Sequence, residues 1–371
     1  MTLSMNHPFH NPGGKTMPTS AALLEWYDRH ARDLPWRIGP ARIAKGVRPD
    51  PYRVWLSEIM LQQTTVAAVK AYFRKFTEMW PDIESLASAD EQDVLKAWAG
   101  LGYYSRARNL KRCADAVVRE HAGRFPQTAT ALRELPGIGD YTSAAIAAIA
   151  FGEAVPVVDG NVERVVSRLH RIDTPLPVAK KEIRAKAALM LDPARPGDFA
   201  QAMMDLGATL CTPKRPACMH CPVRRMCRAL ATGDPETFPV KAPRRAKPRR
   251  RGAAFVIEHP EKGWMLERRG GSGLLAGMTQ VPTTAWTARQ DGTTDTSEAP
   301  AGVSRWRRCG SIRHVFTHFE LELDVHHAVA ELPLEAGQWW SASDEIGGEA
   351  LPTVMKKVLA LAIESKLAEN S

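Results

Sequence analysis

Four of the six cysteines fall within seventeen residues, at Cys211, Cys218, Cys221 and Cys227, spaced C-x6-C-x2-C-x5-C. Thiolates clustered in this way ligate soft metal ions, and in a reducing compartment metal binding is commoner than disulfide formation. Donor number and softness suit zinc and an iron–sulfur cluster equally. Zinc sites more often pair two C-x2–4-C knuckles, whereas this loop has one. With cysteine in every ligand position, nothing is left open for hydrolytic metal chemistry, so the loop holds structure rather than carrying a reaction. It also bears Lys214, Arg215, Arg224 and Arg225 and no acid, which equips it to meet phosphates.

Two acids stand out elsewhere. Glu58 lies inside the apolar run "VWLSEIM", and glutamate is rarely buried without a partner. Asp159 precedes Gly160 at the head of "DGNVERVVSRL", where aspartate commonly caps a helix. Between them, "LPGIGDYTSAAIAAIAFG" (135–152) places Gly137 and Gly139 in a tight turn that opens a helix. Two glycines let backbone N–H groups approach a phosphate, and the helix start adds favourable partial charge. This is a helix–hairpin–helix signature, which grips DNA through its backbone without reading sequence.

The elements that must position these groups divide by character. Residues 21–230 are mostly helical: "VWLSEIMLQQTTVAAVKAYFRKF" (54–76) keeps helical apolar spacing with no glycine or proline inside. Strand signals appear only after a Pro/Arg-rich stretch. "AAFVIEHPEKGWMLERRG" predicts two strands around a turn, "FELELDV" a third, and "LPTVMKKVLALAIESKL" a closing amphipathic helix. The expected division is a loose tail over 1–20, an all-α domain over 21–237 including the cysteine loop at 211–227, a basic linker over 238–252, and a smaller α+β domain over 253–366.

The chain has 371 residues, enough for two ordinary domains, and no apolar run of membrane-spanning length. Its first twenty residues have no apolar core that would read as a secretion signal, so a cytoplasmic setting is expected. The net charge of +9 is concentrated in 241–251, "KAPRRAKPRRR", and in the cysteine loop; the remainder is net acidic. Such local basicity suits contact with a phosphate backbone.

In order along the chain, "LPW…PYRVWLSEIMLQQTTV", "GLGYYSRARNL", "LPGIGDYT", "VVDGNVERV", "FAQAMMDLGATLC" and the four-cysteine loop resemble the endonuclease III superfamily of DNA glycosylases, and within it the MutY-type adenine DNA glycosylases. The resemblance implies an all-α helix–hairpin–helix glycosylase domain with an iron–sulfur cluster loop, followed by an α+β Nudix-like domain. It implies a 4Fe–4S cluster on Cys211, Cys218, Cys221 and Cys227. The position after Asp140 holds Tyr141 where strand-cutting relatives hold lysine, so the expected enzyme is monofunctional: it removes adenine mispaired with 8-oxoguanine or G and leaves an abasic site. The expected partner is double-stranded DNA bearing that mispair, met by a monomer at the nucleoid, with no membrane.

The same resemblance assigns residues. Glu58 is the acid that protonates adenine, and a carboxyl raised by apolar surroundings suits that role. Asp159 stays ionised beside the sugar cation, as in glycoside hydrolysis. Tyr141 and Asn161 orient them. Trp36, Arg37 and Gln201 form the adenine pocket, although an insert between Arg37 and Pro51 is longer than the family usually has and puts Arg37 in question. Gln63, Thr64, Leu101, Gly102, Tyr103, Gly137 and Gly139 contact the duplex. Phe316, Thr317 and His318 match a Phe-Ser-His loop that recognises the lesion. "TARQDGTTDTSEAP" lacks the glutamate-rich metal box of a Nudix hydrolase, so the second domain is expected to recognise rather than hydrolyse. The alternatives are an endonuclease III-like glycosylase for oxidised pyrimidines and a non-enzymatic zinc DNA-binding protein.

Overall fold

The computed structural model describes residues 19–242, 246–270 and 274–369. The tail at 1–18 and parts of the basic stretch and of the 270–282 segment lie outside the described residues. The described residues form two compact units: 19–88 and 112–242 belong to the first, and 89–111, 246–270 and 274–369 to the second.

The helices run α1 (Thr19–His30), α2 (Pro40–Ile43), α3 (Pro51–Leu61), α4 (Val66–Met79), α5 (Ile83–Ser88), α6 (Glu91–Trp98), α7 (Ser105–His121), α8 (Ala129–Leu132), α9 (Asp140–Ile146), α10 (Gly160–His170), α11 (Lys180–Met190), α12 (Pro196–Thr209) and α13 (Arg228–Ala231). Helix α3 is buried on nearly every side, from Tyr52 to Met60. A helix apolar all round must sit in a core, and Glu58 is carried inside with it. Leu23 and Leu24 of α1, Val165 and Val166 of α10, and Phe199 and Met203 of α12 share one apolar cluster. Thus α1, α10 and α12 form a single packed layer.

The helical spacing over 54–76 does not give one helix. The backbone breaks between Leu61 and Val66: Gln63 adopts φ 56°, and the Thr65 side chain caps α4 by accepting from the Ala68 N–H at 3.3 Å. A threonine cap supplies a stop that no glycine or proline announces. The break puts Gln63 and Thr64 on a turn.

In the second unit the sheet order is β3-β2-β1-β5-β4, from β1 (Arg249–His259), β2 (Gly263–Arg268), β3 (Thr279–Gln280), β4 (Arg307–Val315) and β5 (Glu320–Val329), with β6 (Gln338–Ser341) also on β2. Strands β1 and β5 are parallel and the other pairs antiparallel. Helix α14 (Thr353–Glu369) sets Val354, Met355 and Val358 into a cluster with Val256, Leu321 and Leu323. Arg249–Gly252, read from the sequence as linker, begin β1, and the charges are not all free for phosphate. Arg249 faces Glu320 at 3.6 Å, Arg250 faces Asp291 at 3.8 Å, and Lys247 donates to the Phe316 carbonyl at 2.8 Å.

Candidate active site

Glu58 is 5% exposed, and the Tyr141 hydroxyl donates to its Oε2 at 2.7 Å. Burial pushes the Glu58 carboxyl up to about 7; the Tyr141 hydrogen bond and the Arg37 guanidinium oppose that rise, and the Asp159 charge adds to it. Burial also holds the Tyr141 phenol above its ordinary range, followed by the nearby charges of Glu58 and Asp159. The turn ahead of α9 delivers Tyr141. Gly137 sits at φ 75°, a region that favours glycine, and Gly139 is the N-cap residue.

Asp159 both caps a helix and faces the site. Its Oδ1 accepts the Val162 N–H at 2.7 Å, and its Oδ2 accepts Asn161 Nδ2 at 2.8 Å. Asn161 is held in turn: Arg164 donates to its Oδ1 at 2.9 Å and to the Gly207 carbonyl at 2.6 Å. The same guanidinium donates through Nε to the Cys211 carbonyl at 2.7 Å. A hydrogen-bonded path therefore leads from Asp159 to the backbone of the first loop cysteine.

Glu58, Tyr141, Asp159 and Asn161 line one cavity of about 890 Å³. Trp36, Arg37 and Gln201 share its wall, as do Gln63, Thr64, Gly137 and Gly139. Trp36 is also core, with its ring edge-on to Phe73 at 5.3 Å. The long insert after Arg37 does not displace it: Arg37 Nη1 donates to Asp205 Oδ1 at 2.7 Å. Gln201 is 4% exposed and donates to the Gly197 carbonyl at 3.3 Å. Sequence reasoning missed Arg32, Asp205 and Arg164. Asp205 stands one helical turn beyond Gln201 on α12, so spacing along a helix with a pocket residue was the available signal.

The remaining candidates are not among the residues that line this cavity. Within the second unit, Arg106 donates to the Leu101 and Gly102 carbonyls at 3.1 and 3.2 Å and lies over the Trp98 and Tyr103 rings. It supports a turn in which Gly102 and Tyr103 have φ of 69° and 49°. Tyr103 is 45% exposed, and its hydroxyl is 3.0 Å from Thr317 Oγ1 in the same unit. Phe316 stacks on Phe319 at 4.8 Å, while Thr317 and His318 are exposed. Residues 287–300, where a Nudix hydrolase would carry its glutamate box, form no helix.

Cys211, Cys221 and Cys227 pack against the core of the first unit, and none of the four loop cysteines is in a disulfide. Burial pushes the Cys221 thiol up to about 12 and raises Cys218 and Cys227, with Cys211 adding like charge at each. Thiols so placed ionise only against a compensating cation, which a metal centre supplies. Arg168 points the same way. It is 2% exposed, no carboxylate pairs with it among the described residues, and it donates to Cys211 Sγ at 3.3 Å and to the carbonyls of Thr212, Pro213 and Phe238. A buried guanidinium without an acid needs an anion, and metal-bound thiolates provide one. The donor set therefore fits a thiolate-ligated centre. Among the described residues no three His, Cys, Asp or Glu side chains close on a point where a single ion would sit.

Among the described residues no helix is long and apolar enough to cross a membrane. Residues 56–191 match the HhH-GPD superfamily base excision DNA repair proteins, and residues 253–361 match the NUDIX domain. The human adenine DNA glycosylase is 37% identical over 398 residues, covering 91% of this chain and 72% of that protein. The Arabidopsis thaliana adenine DNA glycosylase is 35% identical over 412 residues, covering 96% of this chain and 63% of that one. Among solved structures, a thermostable thymine-DNA glycosylase superposes with a TM-score of 0.51 at 29% identity, covering 57% of this chain and 95% of its own. With a helical glycosylase domain followed by a Nudix-like domain, and relatives of one name over nearly its whole length, the chain belongs to the adenine DNA glycosylases, enzymes of base excision repair that hydrolyse N-glycosyl bonds.

Proposed function

We propose that this glycosylase removes adenine paired with 8-oxoguanine or G in double-stranded DNA, through Glu58 as acid and Asp159 as the anion beside the sugar. The observation that carries this is the buried Glu58 carboxyl with its Tyr141 hydrogen bond, in the cavity that also holds Asp159. A base must leave the stack to be cut, and the cavity has room for it. Trp36, Arg37 and Gln201 then contact the flipped adenine. Glu58 gives its proton to the base, the C1′–N bond breaks with its electron pair leaving on adenine, and the sugar becomes a cation that Asp159 stabilises. Water adds its oxygen to C1′ and returns a proton to Glu58. Adenine and an abasic site result. Tyr141 stands where strand-cutting relatives hold the lysine whose amine attacks C1′, which supports a monofunctional reaction.

Gln63, Thr64, Gly137 and Gly139 ring the cavity and are suited to the strand that carries the adenine. Leu101, Gly102, Tyr103, Phe316, Thr317 and His318 belong to the second unit and are assigned to the opposite base. The Tyr103–Thr317 contact supports a shared role for those two segments. Residues 21–237, apart from 89–111 of the second unit, serve as the catalytic domain, and 253–366 with that segment as the recognising one, in a monomer working at the nucleoid. Cys211, Cys218, Cys221 and Cys227 hold a 4Fe–4S cluster, which stiffens the loop bearing Lys214, Arg215, Arg224 and Arg225.

The test is a set of duplexes with A opposite 8-oxoguanine, A opposite G, or thymine glycol, treated with enzyme and then with heat and alkali. Cleavage at the adenine of the first two supports the proposal. Cleavage at thymine glycol alone would assign the enzyme to oxidised pyrimidines.

A further inference from the structure

Asp205 is fully buried on α12, yet it is a carboxylate. It accepts from the Arg32 backbone N–H at 3.0 Å, from Arg32 Nε at 2.6 Å and from Arg37 Nη1 at 2.7 Å. Burying a carboxylate costs several kcal/mol unless it is paired and hydrogen-bonded on every side, and this one is. Arg32 and Arg37 both line the cavity, so the group they share is set behind its wall rather than within it. Asp198, Gln201 and Asp205 make a polar stripe on a helix whose other buried residues are apolar. That stripe has no use in packing an apolar core, and two of its three members bear on the cavity wall.

We infer that Asp205 is a positioning residue for adenine release: it fixes the two cavity arginines and offsets their charge so that Glu58 keeps its proton. The inference rests on the proposed role of Glu58 as acid. Arg37 is the cation that bears on Glu58, and it acts against protonation. A carboxylate shared by Arg32 and Arg37 weakens that action without contact with the substrate. Tyr141 on α9 and Asp159 at the head of α10 are the other titratable groups bearing on Glu58. Asp140, Glu163 and Lys180 also line the cavity.

The experiment measures single-turnover adenine release by the full-length, metal-replete protein from about pH 6 to 9, on a duplex with A opposite 8-oxoguanine. Activity that needs protonated Glu58 is present at low pH and lost as pH rises through an alkaline limb. In Asp205→Asn, Arg37 is no longer offset, so the limb moves down by about one pH unit, and activity falls about ninefold at pH 8 but only about twofold at pH 6. Asp205→Glu keeps the charge and brings the limb back. Arg32→Gln leaves Asp205 to Arg37 alone and so moves the limb up, and it decides the question by itself if Asp205→Asn does not fold. An unmoved limb in Asp205→Asn, with or without a uniform loss of rate, overturns the inference, as does an unmoved limb in Arg32→Gln. Glu58→Gln run alongside separates the two ideas. If it stays active, the reading of Glu58 has failed; if it is inactive while the limb of Asp205→Asn stays in place, only the role of Asp205 has failed.

Discussion

A Cβ on Gly207 would lie 2.6 Å from the Asn161 Cβ. Helix α12 thus presses its backbone directly on the residue that donates to Asp159 at 2.8 Å. The predicted consequence concerns Gly207→Ala. Added bulk in a packed site costs about 1–3 kcal/mol, and Asn161 is the group that must give way. A misplacement of about 1 Å at a reacting group costs about 100-fold in rate. Gly207→Ala should therefore lose single-turnover activity far beyond its loss of thermal stability, and Asn161→Ala should lose activity without the steric penalty. Equal stability and activity in Gly207→Ala and the parent would show that Asn161 does not hold Asp159 for catalysis.

Glu58 predicts a trade between stability and activity. Its carboxyl stands at about 7 in the folded chain against an ordinary 4.5, so the folded state binds the extra proton between those values. Stability from this group is highest below about pH 4.5 and falls as pH rises to about 7, by about 3 kcal/mol in all. Glu58→Gln carries no charge at any pH. It should be inactive, yet its melting temperature should exceed that of the parent at pH 8 and approach it near pH 5. Calorimetric scans across that range check the sign.

How much of this was legible in the residues differs from group to group. Glu58, Tyr141 and Asp159 sit in distinctive local strings, and each string also carries the turn or cap that aims it: Gly137 and Gly139 for Tyr141, the N-cap for Asp159. Gln63 and Thr64 were placed in an unbroken helical pattern, because a threonine cap and a left-handed glutamine leave no mark in apolar spacing. Arg32 and Asp205 were invisible for another reason. They meet across 173 positions, and only the packing of α12 beside the end of α1 brings them together. The cysteines announced a metal loop by spacing alone, but Arg168, the buried cation beside them, is one more arginine in a basic helix until the fold encloses it.

The loop makes a compositional prediction. Protein purified without added metal should be yellow-brown and contain iron and labile sulfide in equal amounts, with no stoichiometric zinc. Cys221→Ser should bleach it and expose residues 211–227 to protease, because the loop loses one ligand of the centre that holds it. Colourless, zinc-loaded protein of full activity would overturn the cluster assignment.

Phe316 and His318, on either side of Thr317 in the proposed lesion-reading loop, should fail in different ways. Phe316 is partly buried, stacked on Phe319 and edge-on to His314 at 4.6 Å, so it anchors the loop to the second unit. Phe316→Ala should cost about 3 kcal/mol or more in stability, as large-to-small changes in packed sites do. His318 is exposed, so His318→Ala should leave the melting temperature within about 1 °C, since an exposed change is worth under about 0.5 kcal/mol. Both should lower the preference for A opposite 8-oxoguanine over A opposite G, and His318→Ala should do so with the intrinsic cleavage step nearly intact. The ratio of single-turnover rates on the two duplexes, measured below saturation and again at saturating enzyme, separates recognition from chemistry. Equal losses on both duplexes for His318→Ala would remove the loop from lesion reading and leave Phe316 a packing residue alone.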